Sequence, residues 1–549
     1  MTTLIQGGTI VDGTGAPGFF GDVLVEGDRI KDVWRADGGQ PRPGAADAVR
    51  VVDATGCLVT PGFIDAHTHS DAYLVIEPDA PSKISQGITT ELNGQCGGSV
   101  APRYGEARLS SDWAAILGDR LTWHSLAEYR TVLEAAKPAV NTVQFIGHNT
   151  LRSSVVGYAG RAATKDELEK MKYLLEEALD QGGFGLTTGL IYQPGKYSTP
   201  EEVEELAKVT ARVGGFYATH MRSESGRVLE AIDEVVNLAL KTGVRAEISH
   251  LKTSGRRNWD KIDAVLEKVG GAVDRGVLLG SDRYPFCASG TDLDIVLPDW
   301  AQEGAAKAEC ARLADPVLRR RIVDEINADR RDWSIVMIGG TWHPDNKRHS
   351  GKTVREIIEL TNNRIIELPE SSNRRTVEQS NNRTVSPGEL VCSILEKDGC
   401  KTGAFFFAMS EANMRRILAQ PWIVPGSDAS LRAPWGPLGA DHPHPRAYST
   451  MPEFYRRVRE LGFSREETVA RMTSVPADRF GIRGRGRIAK GAYADIAVWR
   501  EGEFRARATY TDPHRFAGGV KCVMVNGVVS YLDGRFTGRR GGRFLERTK

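Results

Sequence analysis

Cysteine is scarce and uneven here: seven residues in 549, an odd number scattered at no repeating spacing. That excludes a disulfide framework and points to a reducing cytoplasm. Long apolar runs are missing too. None reaches the roughly 18 residues of a membrane span. The opening stretch, MTTLIQGGTIVDG, lacks the basic start and apolar core of a signal peptide. Charge of one sign is not in excess, with 72 Lys+Arg against 71 Asp+Glu. The balance offers no reason to expect nucleic acid or an anionic membrane as partner. No fixed-period repeat or heptad pattern is present. The hydrophobic fraction of 40% supports a sizeable core, and the length suits one large catalytic domain plus a smaller one.

Residues 1–60 alternate short β-like runs with turn residues, and residues 481–549 do the same. Both ends are therefore expected to build one small β-sandwich, with the body of the chain inserted between them. From 61 to 480, β-like runs alternate with helical stretches, the pattern of βα units around a parallel sheet. The expected strands are 62–65, 89–92, 143–147, 183–187, 215–218, 246–249, 277–280 and 422–425. Eight strands with intervening helices predict an α/β fold of the (β/α)₈ TIM-like barrel type. Active-site residues in such barrels sit at the C-terminal strand ends. Well over a hundred residues separate the last two strands. That is too long for a loop, so an inserted subdomain is expected at about 290–415. Within it, 371–385 (SSNRRTVEQSNNRTV) is polar without apolar period and reads equally as a lid over the site or as plain surface.

The stretch around which the rest is organised is PGFIDAHTHSD at 61–71. His67 and His69 are spaced i, i+2 after an apolar run. In extended chain both imidazoles then point the same way, which makes half a metal site. Other polar residues follow apolar runs in the same manner: Cys96, His220, His250 and Asp428. Imidazole, thiolate and carboxylate together are the donor set of zinc. Four histidines, one cysteine and one aspartate suffice for two metals, or for one tight and one weak. A buried structural thiol is the alternative for Cys96, and a purely ligating carboxylate the alternative for Asp428. His148 ends the third strand and reads equally as orienting or structural. His124, His343, His349 and His514 lie away from strand ends. His442 and His444 occupy a Pro-rich loop where they could line the mouth of the site, and the structural reading is favoured.

With these residues in place the chain resembles the amidohydrolase superfamily, and within it the N-acyl-D-amino-acid deacylases, or D-aminoacylases. The matching segments include PGFIDAHTHSD at 61–71, QGITTELNGQCGGSVAP at 86–102, GHNTLR at 147–152, YATHMRSE at 217–224, ISHLKTSG at 248–255, DRYPF at 282–286, GSDAS at 426–430 and HPRAYSTMPEF at 444–454. The resemblance runs nearly end to end and is weakest over 300–400. It implies a metal-dependent barrel with a β-domain made from both termini. It also implies a tight zinc on Cys96, His220 and His250 and a weaker metal on His67, His69 and Asp428. The fourth strand, Gly-Phe-Gly-Leu-Thr-Thr-Gly, has no lysine to carboxylate, which favours cysteine-bridged deacylases over hydantoinase or dihydroorotase relatives. Gln95 stands where Asn is common, and Ser449-Thr450-Met451-Pro452-Glu453 replaces a more usual Gly-Thr-Phe-Pro-Arg.

The implied reaction is hydrolysis of N-acyl-D-amino acids, with Asp428 as general base and then general acid. Such a substrate is a small amide carrying a carboxylate. The resemblance places Lys252, Tyr284 and Ser289 in carboxylate recognition. Arg432, with Arg222 and Arg283, lies near a strand end and suits bidentate carboxylate binding. Hydrolysis of a cyclic or xenobiotic amide on the same scaffold is the alternative. A non-catalytic scaffold would be expected to have lost metal ligands, and all six positions are filled.

Overall fold

The structure is a computed structural model that describes residues 2–36, 50–107, 111–366 and 384–547. Of the stretch 371–385, residues 371–383 lie outside the described residues.

Seven of the eight expected strands are present as single strands, and the expected 143–147 is broken at Phe145 into Asn141–Gln144 and Ile146–Gly147, which lie in different sheets. Six form one parallel sheet in the order Ile423–Pro425, Leu279–Arg283, Arg245–Ile248, Phe216–His220, Gly185–Gly189, Ile146–Gly147. A second parallel sheet runs Phe544–Leu545, Asn141–Gln144, Ile88–Asn93, Phe63–Asp65. Residues of these strands are almost all buried, as parallel strands covered on both faces must be. Backbone bonds link the two sheets at both edges. The Ala66 N–H donates to the Pro425 carbonyl at 3.1 Å, and the Phe184 N–H to the Gln144 carbonyl at 2.9 Å. Thr68 and Ala429 form a further parallel bridge.

The helices between strands carry the signals that start and stop them. Lys165–Asp180 opens with a capping box between Thr164 and Glu167. Pro200–Arg212 opens with the Thr199 hydroxyl accepting from the Glu202 N–H and with Pro200 in its first turn. Val228–Thr242 ends on Gly243 at φ 72°, where a side chain would be strained. Their apolar faces (Leu175, Leu206, Ile232, Val235) join the main core.

The two chain ends meet in a single continuous nine-stranded sheet: Arg535–Phe536, Val528–Leu532, Val520–Val525, Ile496–Trp499, Leu58–Pro61, Thr2–Ile10, Phe19–Glu26 and Arg29–Arg35 in order, with Arg50–Asp53 also paired to Thr2–Ile10. The pleat explains why one sheet serves two cores. Ile496 and Val498 point into a local core with Ile5, Val25, Val59 and Met524. Ala497 and Trp499 alternate to the other side and pack with Phe63 and Phe504 in the main core. The last strand, Phe544–Leu545, leaves this sheet and pairs with Asn141–Gln144.

Between the seventh and eighth strands the chain builds a three-stranded antiparallel sheet (Ser289–Asp292, Gly403–Phe406, Val336–Ile338) with helices Ala305–Ala314, Pro316–Ala328 and Pro387–Lys397. It encloses its own core, including Leu293, Ile322, Trp333, Ile338, Val391 and Leu395. No helix among the described residues is long and apolar enough to cross a membrane.

Candidate metal centre

The C-terminal ends of the parallel strands bring four side chains together: one donor atom from each of His67, Cys96, His250 and Asp428 lies within 4.8 Å of the others. The Cys96 sulfur stands 3.3 Å from His67 Nε2 and 3.3 Å from His250 Nε2. Asp428 Oδ1 is 3.1 Å from His69 Nε2 and 3.5 Å from His67 Nε2. The i, i+2 histidines thus do share a face. His220, Glu224 and His250 make a second donor group beside the first.

Three of these residues have left-handed backbone: Cys96 at φ 51°, His250 at φ 38° and Asp428 at φ 50°. That conformation is unfavourable for non-glycine residues and persists only where surroundings hold it. The Asp428 N–H donates to the His67 carbonyl at 2.8 Å, and the His250 N–H to Asp282 Oδ1 at 3.0 Å. The loop carrying Cys96 turns through Gly94 and Gly97. A Cβ on Gly97 would stand 2.2 Å from Asn149 Oδ1, so only glycine lets the loop lie this close.

Burial opposes charge at every one of these groups, and the neighbours overcome it. Burial raises the Cys96 thiol, but the His67 and His250 imidazoles hold it well below the usual thiol range. Burial likewise opposes the Asp428 carboxylate, which the Arg446 guanidinium and the imidazoles keep ionised. Glu224 is held ionised against burial by His220, Lys252 and His250. A buried imidazole without a hydrogen bond is costly, yet neither ring nitrogen of His220 makes one among the described residues, its Nε2 standing 3.6 Å from Glu224 Oε2. An orphaned imidazole beside a thiolate and a second imidazole fits a zinc ion as the missing partner.

A cavity of about 850 Å³ opens over this cluster, with His69, Cys96, Tyr192, Asp428, Arg432 and Arg446 on its wall and the inserted strand Ser289–Asp292 at its rim. The other residues singled out from sequence fall as follows. Lys252 is buried, 2.7 Å from His250 Nδ1, and in short contact with Glu224. Tyr284 is buried under the guanidinium groups of Arg283 and Arg446. Ser289 begins the inserted strand and is half-buried. Arg432 pairs with Asp441 at 3.1 Å. Arg222 is committed to Glu234. His148 bonds Glu202 at 2.8 Å and belongs to the packing. His442 and His444 reach the cavity wall, but each gives a ring nitrogen to a backbone carbonyl, of Tyr510 and Ala288.

Sequence reasoning missed Glu224, Asp282, Arg446 and Tyr192. Asp282 bonds His67 Nδ1 at 3.1 Å and so fixes which ring nitrogen faces the cluster. It ends the seventh strand, so the strand-end logic that found His250 applies to it equally. Tyr192 packs edge-on against His220 at 4.8 Å between ring centroids. Glu224 lies in a turn and Arg446 begins a helix after a Pro-rich loop, and neither position has a periodic signal.

A family model described as the amidohydrolase family matches residues 50–347 and 394–531. The D-aminoacylase of Alcaligenes xylosoxydans xylosoxydans is 32% identical over 549 residues, 99% of this chain and 97% of that protein. The N-acyl-D-glutamate deacylase of the same organism is 32% identical over 552 residues, covering 100% and 97%. A solved D-aminoacylase structure, described by its binuclear metal centre with one-metal activation and second-metal attenuation, superposes with TM-score 0.78 at 32% identity over 99% of each chain. The N-acyl-D-glutamate deacylase of Bordetella bronchiseptica, complexed with zinc and a phosphonate that mimics the tetrahedral intermediate, superposes with TM-score 0.79 at 30% identity over 99% of each chain. A D-hydantoinase at 16% identity and TM-score 0.55 shares the fold alone. This chain belongs to the amidohydrolase family.

Proposed function

We propose that the protein is a zinc-dependent deacylase that hydrolyses the amide bond of N-acyl-D-amino acids to a carboxylate and a free D-amino acid. The observation that carries this reading is the cluster of His67, Cys96, His250 and Asp428, with His220 and Glu224 grouped on the other side of His250, and with Cys96 and Asp428 on the cavity wall. Near full-length similarity to D-aminoacylase and to N-acyl-D-glutamate deacylase supports it. Cys96, His220 and His250 would hold the tight zinc, and His67, His69 and Asp428 a second, weaker position. Zinc held there supplies a Lewis acid for the amide carbonyl and lowers the pKa of water toward ~7.

The chain's own residues do the rest. Asp428 Oδ1, on the side of the imidazoles, takes the proton of attacking water and delivers it to the leaving nitrogen, which departs poorly unless protonated. Arg432 on the cavity wall, and Lys252, Tyr284 and Ser289, which lie off it, are read as the residues that receive the substrate carboxylate. Lys252 already pairs with Glu224, so a carboxylate approaching it competes with that pair. Leaving out Phe544–Leu545 and counting Asn141–Gln144 with Ile146–Gly147 as one broken strand, the two parallel sheets are read as one eight-stranded barrel over 61–480, joined at the Ala66–Pro425 bond. The nine-stranded sheet of 1–60 and 481–549, folded over its own core, is read as the β-sandwich domain, and about 290–415 as the insert. All seven cysteines are free thiols, in keeping with the cytoplasm.

Asp428→Asn tests the assignment. It should abolish turnover while zinc stays bound at Cys96, His220 and His250. Turnover near that of the wild type would remove Asp428 from the reaction.

A further inference from the structure

The cavity over the metal cluster has a second polar end. Its wall runs from Cys96 and Asp428 to Asp292, Asp294 and Glu309 in the insert. Asp294 sits in the turn Leu293–Val296 after the inserted strand, and Glu309 on the helix Ala305–Ala314. Glu309 is 3% exposed, and its Oε2 has no hydrogen-bond partner among the described residues. The two carboxyls face each other, and Asp292 adds negative charge beside Glu309. Neither Asp294 nor Glu309 has a salt bridge among the described residues, although Lys401 lines the same wall. Arg312, on the same helix as Glu309, spends Nη1 on the backbone carbonyls of Ala301 at 2.9 Å and Glu303 at 2.5 Å. Lys347, also on the wall, donates to the carbonyls of Thr341 and Ala440. Burial raises Asp294 and Glu309 to about 7 each, the state of buried carboxyls that lack a cation. Buried acids are normally paired, so an unpaired couple on a cavity wall points to a ligand that completes it.

We propose that Asp294 and Glu309 form a subsite for a cationic group of the substrate, an ammonium or guanidinium carried at one end of the amide while its carbonyl lies at the metal cluster. The inference rests on the deacylase reading and names a substrate class for it. A cation seated there gives Glu309 Oε2 its missing partner through a charge-assisted bond. A neutral chain of the same shape leaves both carboxyls unpaired, and that difference is what discriminates between substrates. The cation can stand at either end of the amide: on the side chain of a D-lysine or D-arginine, or on the acyl group of an aminoacyl-D-amino acid.

The test compares kcat/KM of the zinc-loaded, full-length protein on matched substrates. N-acetyl-D-lysine and N-acetyl-D-arginine against N-acetyl-D-norleucine put the cation on the amino-acid side chain. β-Alanyl-D-leucine against N-butanoyl-D-leucine puts it on the acyl group. In one of the two sets the cationic member should be preferred by about tenfold or more, the worth of a hydrogen bond to a charged group, and that set identifies the end facing the insert. Glu309→Gln keeps the shape and removes the charge, so the ratio of cationic to neutral kcat/KM should fall by about tenfold. Glu309→Asp, which restores the charge, should recover part of it. A merely structural role would move both members of a set alike and leave the ratio where it was. No cationic preference in either set, or a ratio unchanged in Glu309→Gln, overturns the proposal. If Glu309→Gln does not fold, Asp294→Asn gives the same readout. If the wild type turns over no N-acyl-D-amino acid, the deacylase reading falls, and calorimetric titration of the zinc-loaded protein with butylammonium and butylguanidinium decides the subsite. Binding that weakens about tenfold in Glu309→Gln sustains it, and no binding, or equal binding by both proteins, overturns it.

Discussion

Lys83 sits under the metal centre with no exposure, and replacing it by Met is the sharpest test of how the site is held. Its ammonium lies 3.0 Å from Asp65 Oδ2, 3.0 Å from Glu91 Oε1, 3.1 Å from the Ser427 hydroxyl and 3.0 Å from the Ala429 carbonyl. One side chain thus ties the strand before His67, the second strand and the turn holding Asp428. Met keeps the length of the side chain, so little packing is lost. What is lost is the cation between two buried carboxylates, and stranding a buried charge costs about 3–5 kcal/mol. For a chain of this size that corresponds to a thermal midpoint lower by about 3–5 °C at pH 8. The pH dependence has a defined sign. Burial already raises Glu91, and without Lys83 nothing comparable opposes it. A carboxyl raised in the folded state costs nothing below its unfolded pKa of about 4.3 and costs progressively more as pH rises through the folded value. The gap between variant and wild type should therefore be small near pH 5 and widest at pH 8. Differential scanning calorimetry of both zinc-loaded proteins at the two pH values measures it. A shift below about 1 °C at pH 8, or one equal at both pH values, refutes the reasoning.

Other perturbations follow from the same geometry. Glu224→Gln removes the carboxylate 3.0 Å from His250 Nδ1, and zinc affinity by competition with a chelator should fall about 10–100-fold; unchanged affinity would show that Glu224 does not orient His250. Gly97→Ala places a methyl 2.6 Å from the Gly189 nitrogen at a backbone φ of 78°, so zinc content should drop together with stability, by about 2 kcal/mol or more; a normal zinc content would mean the Cys96 loop can shift. Burial raises the carboxyls of Asp294 and Glu309 to about 7 each, with Glu309 adding to the rise at Asp294 while the Asp294 hydrogen bond opposes it at Glu309. Their favourable protonated state is kept at low pH and lost as pH rises through that value, so Asp294→Asn should melt above wild type at pH 8 and with it at pH 4. Equal melting at pH 8 would show that the pair is not in conflict.

Much of this arrangement was legible in the residues. The parallel strands lie near where short apolar runs and turn residues put them, because a parallel strand covered on both faces has few other ways to be written, but the break at Phe145 that divides 143–147 between two sheets was not legible. His67, Cys96, His250 and Asp428 converge as expected because each directly follows such a run. The partners that hold them were harder to see. Glu224 reaches His250 from a turn, and Arg446 reaches Asp428 from the first residue of a helix after a Pro-rich loop. Neither position has a period, and their meaning exists only once the chain is folded. The continuous nine-stranded sheet and the departure of Phe544–Leu545 to a different sheet depend on pairings between segments hundreds of residues apart. Alternation shows that a strand has two faces and leaves its neighbour unspecified. Lys252 illustrates a different gap. Its spacing from His250 put it on the same face, and it stands 2.7 Å from His250 Nδ1, but the pairing with Glu224 that occupies its ammonium comes from another strand end.

The most direct measurement of the central claim is hydrolysis of paired N-acetyl-D- and N-acetyl-L-amino acids (Met, Leu, Glu and Asp), before and after chelation and after return of zinc. The account predicts release of free amino acid from the D series, loss on chelation and recovery with zinc. Stoichiometric zinc binding with no turnover of either series would contradict it and direct attention to cyclic and xenobiotic amides.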